Sequence, residues 1–550
     1  MPRAHFFSLI REKDKDLHAE LRKQIVGGPS IIFHRYHEKG ITKLRGESGM
    51  AVQSLVGYDA NSLYLWTEGC GDVNLVNGKS FQELRETTAE ITQYLREEVG
   101  VKVVEMYECE WEEMKEGNDE IVNFIKVHLP QSPSPFSDSS PQTKMSILRD
   151  IYDGYLYGLV RCDIKVSESL PSHFSEMPPI FKNIDVSSED IGPFLRDFAD
   201  EHKLLGRPRR TLIGSFIGKN IILATPLLRW YLEHGLVVDE IYEVVEYTQG
   251  FADIISENRR REDLDPTKAI HAETFKLLGN SAYGKSLENL ENRRDIAYSM
   301  GRDVGKLVNS RLFRTCTSLD HNDLLEVESA KSKVRWNLPL QIGFFVYQYA
   351  KLRMLQFHYD FVDKFVSRDD YQLCEMDTDS LYMALSGNSL EEVVKPHLLQ
   401  KFYREYPQWF PARSCDAHHE EFVSACSRRE TWNPRPCCKE RSTFDKRTPG
   451  LFKIEFVGDG MVVLCSKTYF AFGEKNKISC KGSNKNLNDI EKHKYLNVLK
   501  YKRKGRGLNK GFRSCGNAVF TYEQERASLS FLYIKRRVCE DGVSTEPLLV

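Results

Sequence analysis

The alternation of apolar and polar positions predicts two strand regions that end in carboxylates. The apolar run Ser54–Tyr58 leads into Asp59. Further along the chain, Tyr371–Met376 and Ser380–Leu385 flank the segment Asp377-Thr378-Asp379, which predicts a hairpin with two carboxylates at its tip. Because successive side chains of a strand alternate between faces, these two carboxylates are expected to point the same way.

A third apolar run, Met461–Phe472, also predicts a strand. It contains the tripeptide Lys467-Thr468-Tyr469. Lys467 and Tyr469 are two positions apart, so a continuous strand would project both side chains from one face.

Two helices can be placed from their end signals. In the first, Thr225 is a candidate cap, Pro226 fits the first turn, and Gly235 can adopt the left-handed conformation that ends a helix. The second is predicted over Asp265–Gly284.

The predicted Asp265–Gly284 helix carries Lys276, Asn280 and Tyr283 on one face, because they follow at i, i+4 and i+7. A cation, an amide and an aromatic ring in this arrangement suit the phosphate, sugar or base of a nucleoside triphosphate. The alternative is an ordinary solvated helix face.

The composition is that of a folded protein with several domains. The chain has 550 residues, of which 41% are hydrophobic and 28% charged. No apolar run approaches the roughly 20 residues that span a bilayer, and the first residues lack the features of a signal peptide. We therefore expect a soluble intracellular protein, in a compartment that the sequence does not indicate.

The formal net charge of −2 gives no global positive field, although nucleic-acid binding needs only a local basic surface. The segment Lys492–Arg513 is such a candidate, because its cations are interleaved with Tyr495, Tyr501 and Phe512. A solvated charged face is the alternative. The segment Leu129–Thr143 is rich in Pro and Ser and predicts a flexible insertion.

The thirteen cysteines are an odd number scattered over a long chain, which favours reduced thiols. Cys415, His418, Cys426 and Cys437 have the residue types of a zinc site without paired C-x-x-C spacing. Free thiols are the preferred interpretation, and zinc stays an alternative.

The predicted hairpin with Asp377 and Asp379 at its tip is the candidate metal-binding site. Apolar neighbours on both sides of Asp377 and Asp379 predict a buried hairpin, where paired carboxylates are costly unless cations neutralise them. Carboxylate oxygens are ligands for hard divalent cations, which are therefore the natural partners of this pair. A surface turn rich in Asp is the alternative for this motif taken alone.

The motifs together resemble those of the family B DNA polymerases, and most closely the protein-primed branch of viruses, linear plasmids and self-synthesising transposons. YDANSLY (58–64) looks like motif A, KLLGNSAYG (276–284) like motif B, DTDS (377–380) like motif C and KTY (467–469) like the Lys-x-Tyr motif, in the family's order. The resemblance covers nearly the whole chain.

The resemblance implies an α+β fold of right-hand type, with palm, fingers and thumb and an antiparallel-sheet palm. Seven segments follow from it: 1–66, an N-terminal segment with the first palm strand and motif A; 67–150, an insertion or linker; 151–205, a palm continuation or priming-type insertion; 206–285, fingers with motif B; 286–335, an insertion hairpin; 336–472, palm with motif C and the Lys-x-Tyr strand; and 473–550, the thumb.

The implied activity is template-directed addition of deoxynucleotides to a primer 3′-hydroxyl with two Mg²⁺ ions, for which Mn²⁺ can substitute. Asp59 and Asp379 would bind both metals, with Asp377 as a third catalytic carboxylate. The implied partners are a primed DNA template and deoxynucleoside triphosphates; a terminal protein primer is left open, and a monomer without membrane contact is expected.

The resemblance also assigns binding residues. The nucleotide would be contacted by the backbone amides of Ser62 and Leu63, by Tyr64 under the sugar, and by Lys276, Asn280 and Tyr283. The DNA would be contacted by a second set: Gly284, Lys467, Tyr469, Lys502, Arg503, Lys504 and Arg506.

Several departures from the family pattern leave activity open. Glu375 stands where the family has Tyr, and Ile25-Val26-Gly27-Gly28 stands for its Tyr-x-Gly-Gly pattern. The 58 residues before Asp59 cannot hold a proofreading exonuclease, so none is expected from this chain. The alternatives are a catalytically silent DNA-binding remnant and an RNA-templated polymerase, which is disfavoured because Asp-Thr-Asp replaces an adjacent Asp pair.

Overall fold

The structure is a computed structural model that describes most of the chain. The described residues are 15–25, 27–61, 63, 144–246, 284–300, 302–318, 324–334, 338–411, 450–481, 485, 487–488, 490–502, 504–515 and 518–548.

Helices and strands are interspersed along the chain. The helices are α1 (Lys15–Gln24), α2 (Lys144–Asp153), α3 (Pro193–Glu201), α4 (Thr225–Glu233), α5 (Arg302–Val308), α6 (Leu340–Gln356), α7 (Asp363–Phe365), α8 (Leu399–Glu405) and α9 (Lys492–Tyr501). The strands are β1 (Ser30–Ile32), β2 (Tyr36–Glu38), β3 (Ser54–Ala60), β4 (Gly158–Val166), β5 (Ile180–Val186), β6 (Arg209–Ser215), β7 (Ile217–Ala224), β8 (Leu236–Glu246), β9 (Arg294–Ser299), β10 (Phe313–Ser318), β11 (Leu325–Ala330), β12 (Tyr371–Asp377), β13 (Ser380–Leu385), β14 (Phe452–Gly458), β15 (Gly460–Cys465), β16 (Thr468–Phe472), β17 (Lys477–Cys480), β18 (Gly505–Cys515), β19 (Ala518–Leu529), β20 (Arg537–Val538) and β21 (Thr545–Glu546).

The central sheet has the strand order β1-β12-β13-β3-β14, and every neighbouring pair is antiparallel. Its inner strands are buried on both faces; all six residues of β13 are buried. Such strands read as continuous apolar runs instead of alternating ones, because neither face meets water.

One face of the central sheet is covered by α6 and the turn that follows it. A π-type turn, Phe357–Val362, joins α6 to α7. The Phe357 ring stacks on Phe452 of β14 with centroids 3.8 Å apart and meets the edge of Tyr58 on β3. This aromatic packing fixes the helix against the two strands that end near the site.

A second sheet, in the order β17-β16-β15-β2, shares a core with the other face of the central sheet. The segment 530–548 packs into the same core, where Phe531 and Tyr533 are buried. The edge strand β1 of the central sheet therefore lies beside this C-terminal segment.

The remaining sheets are small and antiparallel. They are β7-β4-β8, β10-β11-β9, and the pairs β5-β6, β18-β19 and β20-β21. The described part is thus a mixed fold of helices and several antiparallel sheets, which agrees with the α+β class predicted. Within it, no helix is long and apolar enough to cross a membrane.

The predicted elements can be compared one by one. The hairpin around motif C is confirmed, and so is the first helix, whose following Gly235 has φ 80°. The cap was wrong: Ala224 occupies the N-cap position, and the Thr225 hydroxyl accepts a hydrogen bond from the Gly158 amide instead. Residues 265–283 of the predicted Asp265–Gly284 helix lie outside the described residues, and Gly284 is the first described residue of a helical segment.

The predicted single strand Met461–Phe472 was also wrong. It is a hairpin, β15–β16, that turns at Ser466-Lys467, where Lys467 has φ 62°. A turn with a non-glycine residue in the left-handed region has none of the Gly, Pro or Asn signals by which sequence reasoning finds turns.

Candidate functional site

Three aspartates lie together at one end of the central sheet. Ser380, the first residue of β13, pairs with Asp377 on one side and with Asp59 on the other. Asp379 lies in the turn between, and its carbonyl accepts a hydrogen bond from the Ala60 amide at 2.7 Å. Three carboxylates separated by up to 320 positions in sequence thus share one sheet end.

The turn that carries Asp379 is held from below by the segment before β1. Thr378 has φ 62°, and its amide donates to the Pro29 carbonyl at 2.7 Å. Gly28 lies so close that a Cβ added there would come within 2.1 Å of Thr378 Cγ2. A glycine is therefore required at 28 for this approach.

Lysines balance most of these carboxylates. Lys453 Nζ lies 2.8 Å from Asp59 Oδ2, and Lys467 Nζ lies 3.3 Å from Asp377 Oδ1. Asp379 has no ion pair among the described residues. It is thus the carboxyl group at this site with the least compensation.

Burial and neighbouring charges shift the acids of the site toward their protonated forms. Burial first, then the Asp59 and Asp377 carboxylates, raise the pKa of Asp379 to about 7. Burial also raises the pKa of Asp59, against the opposing effect of Lys453. A site that resists ionisation in this way favours any cation that can bind its carboxylates.

Glu375 is a fourth acid under the turn. Its side chain is fully buried, and burial, followed by the nearby Asp377 charge, raises its pKa well above the ordinary value. Its Oε1 accepts a long hydrogen bond of 3.4 Å from the Lys467 amide, and its Oε2 has no hydrogen-bond partner. Glu375 is thus a buried acid whose protonated form is favoured, below the surface of the site.

Tyr469, the aromatic residue of the Lys-x-Tyr motif, lies in the core and is only 8% exposed. Its hydroxyl is 3.5 Å from that of Tyr382, which donates to Glu455 Oε2 at 3.1 Å. Glu455 is also paired with Lys477. Lys467 and Tyr469 therefore do not project from one face, because Lys467 lies in the turn.

The other predicted contact residues are scattered. Leu63 has a buried side chain, Lys504 is exposed, Lys502 lies 4.0 Å above the Phe194 ring, and Arg506 pairs with Glu525 at 3.0 Å. Several predicted residues lie outside the described part of the chain: Ser62, Tyr64, Lys276, Asn280, Tyr283 and Arg503, together with the candidate zinc ligands Cys415, His418, Cys426 and Cys437.

Sequence reasoning missed four lysines and one acid beside the aspartates: Lys453, Lys467 as an ion-pair partner, Lys477, Lys535 and Glu455. Lys453 and Glu455 are two positions apart within the segment FKIEFVG. Two charged residues inside an otherwise apolar strand are a sequence signal that could have marked them as candidate site residues. Lys535 gave no local signal, because its link to the site is made by a contact 505 residues away.

The donor set fits hard divalent cations. Asp59, Asp377 and Asp379 offer carboxylate oxygens, which are the ligands that Mg²⁺ and Mn²⁺ prefer. Within the described residues, no three His, Cys, Asp or Glu side chains are already gathered closely enough to hold an ion.

Comparison with known proteins yields no match to this chain among protein-family models, curated proteins or solved structures.

Proposed function

We propose that this chain is a DNA-directed DNA polymerase of the right-hand type, which extends a primer 3′-end on a DNA template. The main support for this proposal is that Asp59, Asp377 and Asp379 lie together at one end of the central sheet. The motif order that resembles family B polymerases supports the same conclusion. In this proposal the central sheet is the palm, residues 206–285 belong to the fingers and residues 473–550 to the thumb.

Asp59 and Asp379, supported by Asp377, would hold two Mg²⁺ or Mn²⁺ ions, which when bound lower the pKa of the primer hydroxyl and neutralise the triphosphate and its pyrophosphate product. The raised pKa of Glu375, caused first by burial, limits the negative charge that this residue adds to the site. Lys453 and Lys467 pair with Asp59 and Asp377, so bound metal would have to displace these ammonium groups.

The balance of charges supports a triphosphate substrate. Four carboxylates (Asp59, Asp377, Asp379 and Glu455) lie near four lysines (Lys453, Lys467, Lys477 and Lys535). These lysines leave the site formally neutral instead of strongly acidic. Divalent ions bound there would therefore give it the positive charge that suits a triphosphate with about four negative charges.

A second candidate function is a DNA-binding protein that has lost catalysis. The ion pairs of Lys453 and Lys467 favour it, because they neutralise two of the three aspartates without metal. Under this alternative, Mg²⁺ would find the carboxylates already occupied.

Primer extension separates the two. The purified chain should extend a primed DNA template with Mg²⁺ and deoxynucleotides, and Asp379→Asn should lower the rate roughly a hundredfold or more, since metal stabilisation of the transition state amounts to several kcal/mol. Asp303→Asn is the matched control, because that carboxylate is exposed and, among the described residues, pairs with Lys306 alone. Salt-sensitive DNA binding without extension would favour the silent protein.

A further inference from the structure

A C-terminal strap, residues 530–548, lies across the strand next to motif C. The Tyr533 hydroxyl accepts a hydrogen bond from the Ile32 amide at 2.7 Å. The Thr545 hydroxyl lies 3.0 Å from the Ile32 carbonyl and 2.7 Å from that of Phe33. These contacts are buried, so the strap is a fixed part of the core that supports β1.

Lys535 extends the strap toward the catalytic turn. Its Nζ donates to the Ser30 carbonyl at 2.7 Å, and the same carbonyl accepts from the Ser466 hydroxyl at 2.9 Å. Ser30 pairs with Asp377 across the β1–β12 ladder. The residue before it, Pro29, accepts the hydrogen bond of the Thr378 amide.

The charge on Lys535 is also suited to this place. Burial lowers the pKa of Lys535 to about 8, although the Asp377 carboxylate favours its ammonium form. A hydrogen bond from a charged donor is about twice as strong as a neutral one. The Lys535 contact thus ties the strap to the segment under the turn through a donor that is charged when protonated.

We propose that Lys535 is a positioning residue: by fixing the Ser30 carbonyl it holds Pro29 against Thr378, and so fixes the turn that carries Asp377 and Asp379. The inference rests on the proposed function for its catalytic consequence. Its structural consequence, the rigidity of the turn, can be measured independently of any activity.

Amide hydrogen exchange measures that rigidity. In Lys535→Met, the peptide containing Thr378 should exchange about tenfold faster or more, because loss of a hydrogen bond to a charged donor costs about 1.5–3 kcal/mol. Lys535→Arg should retain most of the protection. Lys475→Met, at an exposed lysine outside the assigned binding residues, is the matched control, and unchanged exchange in α4 shows that the variant is folded.

Primer extension then tests the catalytic consequence. The rate per active site, measured from the burst amplitude at saturating Mg²⁺, should fall about tenfold or more in Lys535→Met, because a small misplacement of reacting groups is costly. Mn²⁺ affinity should not weaken, since the substitution removes a repulsive cation. If Lys535→Met is unstable, Lys535→Gln replaces it, with the same expectations.

The outcomes are distinguishable. Exchange at Thr378 and a rate per active site both equal to those of the wild type would overturn the inference, as would equal impairment by Lys535→Arg and Lys535→Met. Faster exchange in a chain whose wild type extends no primer would support the positioning role and reject the polymerase proposal. A purely structural role would lower the fraction of active protein and leave its rate per active site unchanged.

Discussion

The replacement of Glu375 by Gln tests whether the buried acid below the site is protonated. Gln has the same size and no ionisable proton. Burial raises the pKa of Glu375 well above its ordinary value of 4.5, so the folded state keeps the proton at neutral pH while the unfolded state loses it. The wild type therefore loses stability as the pH rises above that ordinary value, and the variant does not lose this contribution.

The size of the effect follows from proton linkage. Each pH unit between the unfolded and folded pKa values costs about 1.4 kcal/mol, so two units cost about 2.7 kcal/mol. For 550 residues with an unfolding entropy of about 2.1 cal/mol/K per residue, the variant should gain about 2 °C in Tm relative to the wild type between pH 5.5 and 7.5, if unfolding is cooperative.

Thermal unfolding of both proteins at pH 5.5, 6.5 and 7.5, with EDTA present, measures this difference. Glu474→Gln is the control, because Glu474 is exposed and its replacement should shift Tm equally at every pH. A difference between Glu375→Gln and wild type that stays constant, or that favours the wild type more as pH rises, would refute the reasoning. It would mean that Glu375 is ionised and paired with Lys467 or Lys535.

Three further predictions concern the turn and its charges. The pKa of Asp379 is raised to about 7, and metal binding requires the ionised form. Mn²⁺ affinity, measured by electron paramagnetic resonance, should therefore weaken about tenfold per pH unit below 7 and level off above it. Asp379→Asn should remove this pH dependence. Lys453→Met frees Asp59 from its ion pair, so calorimetry should show Mn²⁺ binding that is several-fold tighter than in the control Lys475→Met, which changes an exposed lysine. An unchanged Mn²⁺ affinity in Lys453→Met would contradict this prediction. Gly28→Ala should lower the free energy of unfolding by about 1–3 kcal/mol, because its Cβ collides with Thr378, whereas Gly27→Ala meets nothing within 4 Å and should be neutral in denaturant titrations.

The parts of the fold that sequence predicts are those set by local pattern. The β12–β13 hairpin follows from two apolar runs separated by a polar pair, and the α4 helix from Pro226 and Gly235. The β15–β16 hairpin escaped prediction because its turn uses Lys467 at positive φ, with no residue that signals such a conformation. Local signals are sufficient only where the turn chemistry is the usual one.

The candidate site divides in the same way. Asp59, Asp377 and Asp379 are recognisable in sequence because each follows or interrupts an apolar strand. Their surroundings depend on long-range contacts: the Lys535–Ser30 hydrogen bond joins residues 505 positions apart. No local periodicity encodes such a pairing, since the strand order of the sheet and the path of the strap decide it.

The cost of this site favours catalysis over simple DNA binding. A protein that only binds phosphates needs exposed cations, and here lysines pair instead with carboxylates, while Asp379 stays without a described partner and resists ionisation. Asn at position 379 would fill the same space without that cost, as Gln would at 375. The presence of an acid that destabilises the fold at neutral pH is best explained by a bound ion that stabilises its ionised form. For clustered oxygen donors, that ion is a divalent cation. The ion pairs of Lys453 and Lys467 compete with such a cation for Asp59 and Asp377, so Asp379 is the carboxyl group that depends most on a bound cation for its ionised form.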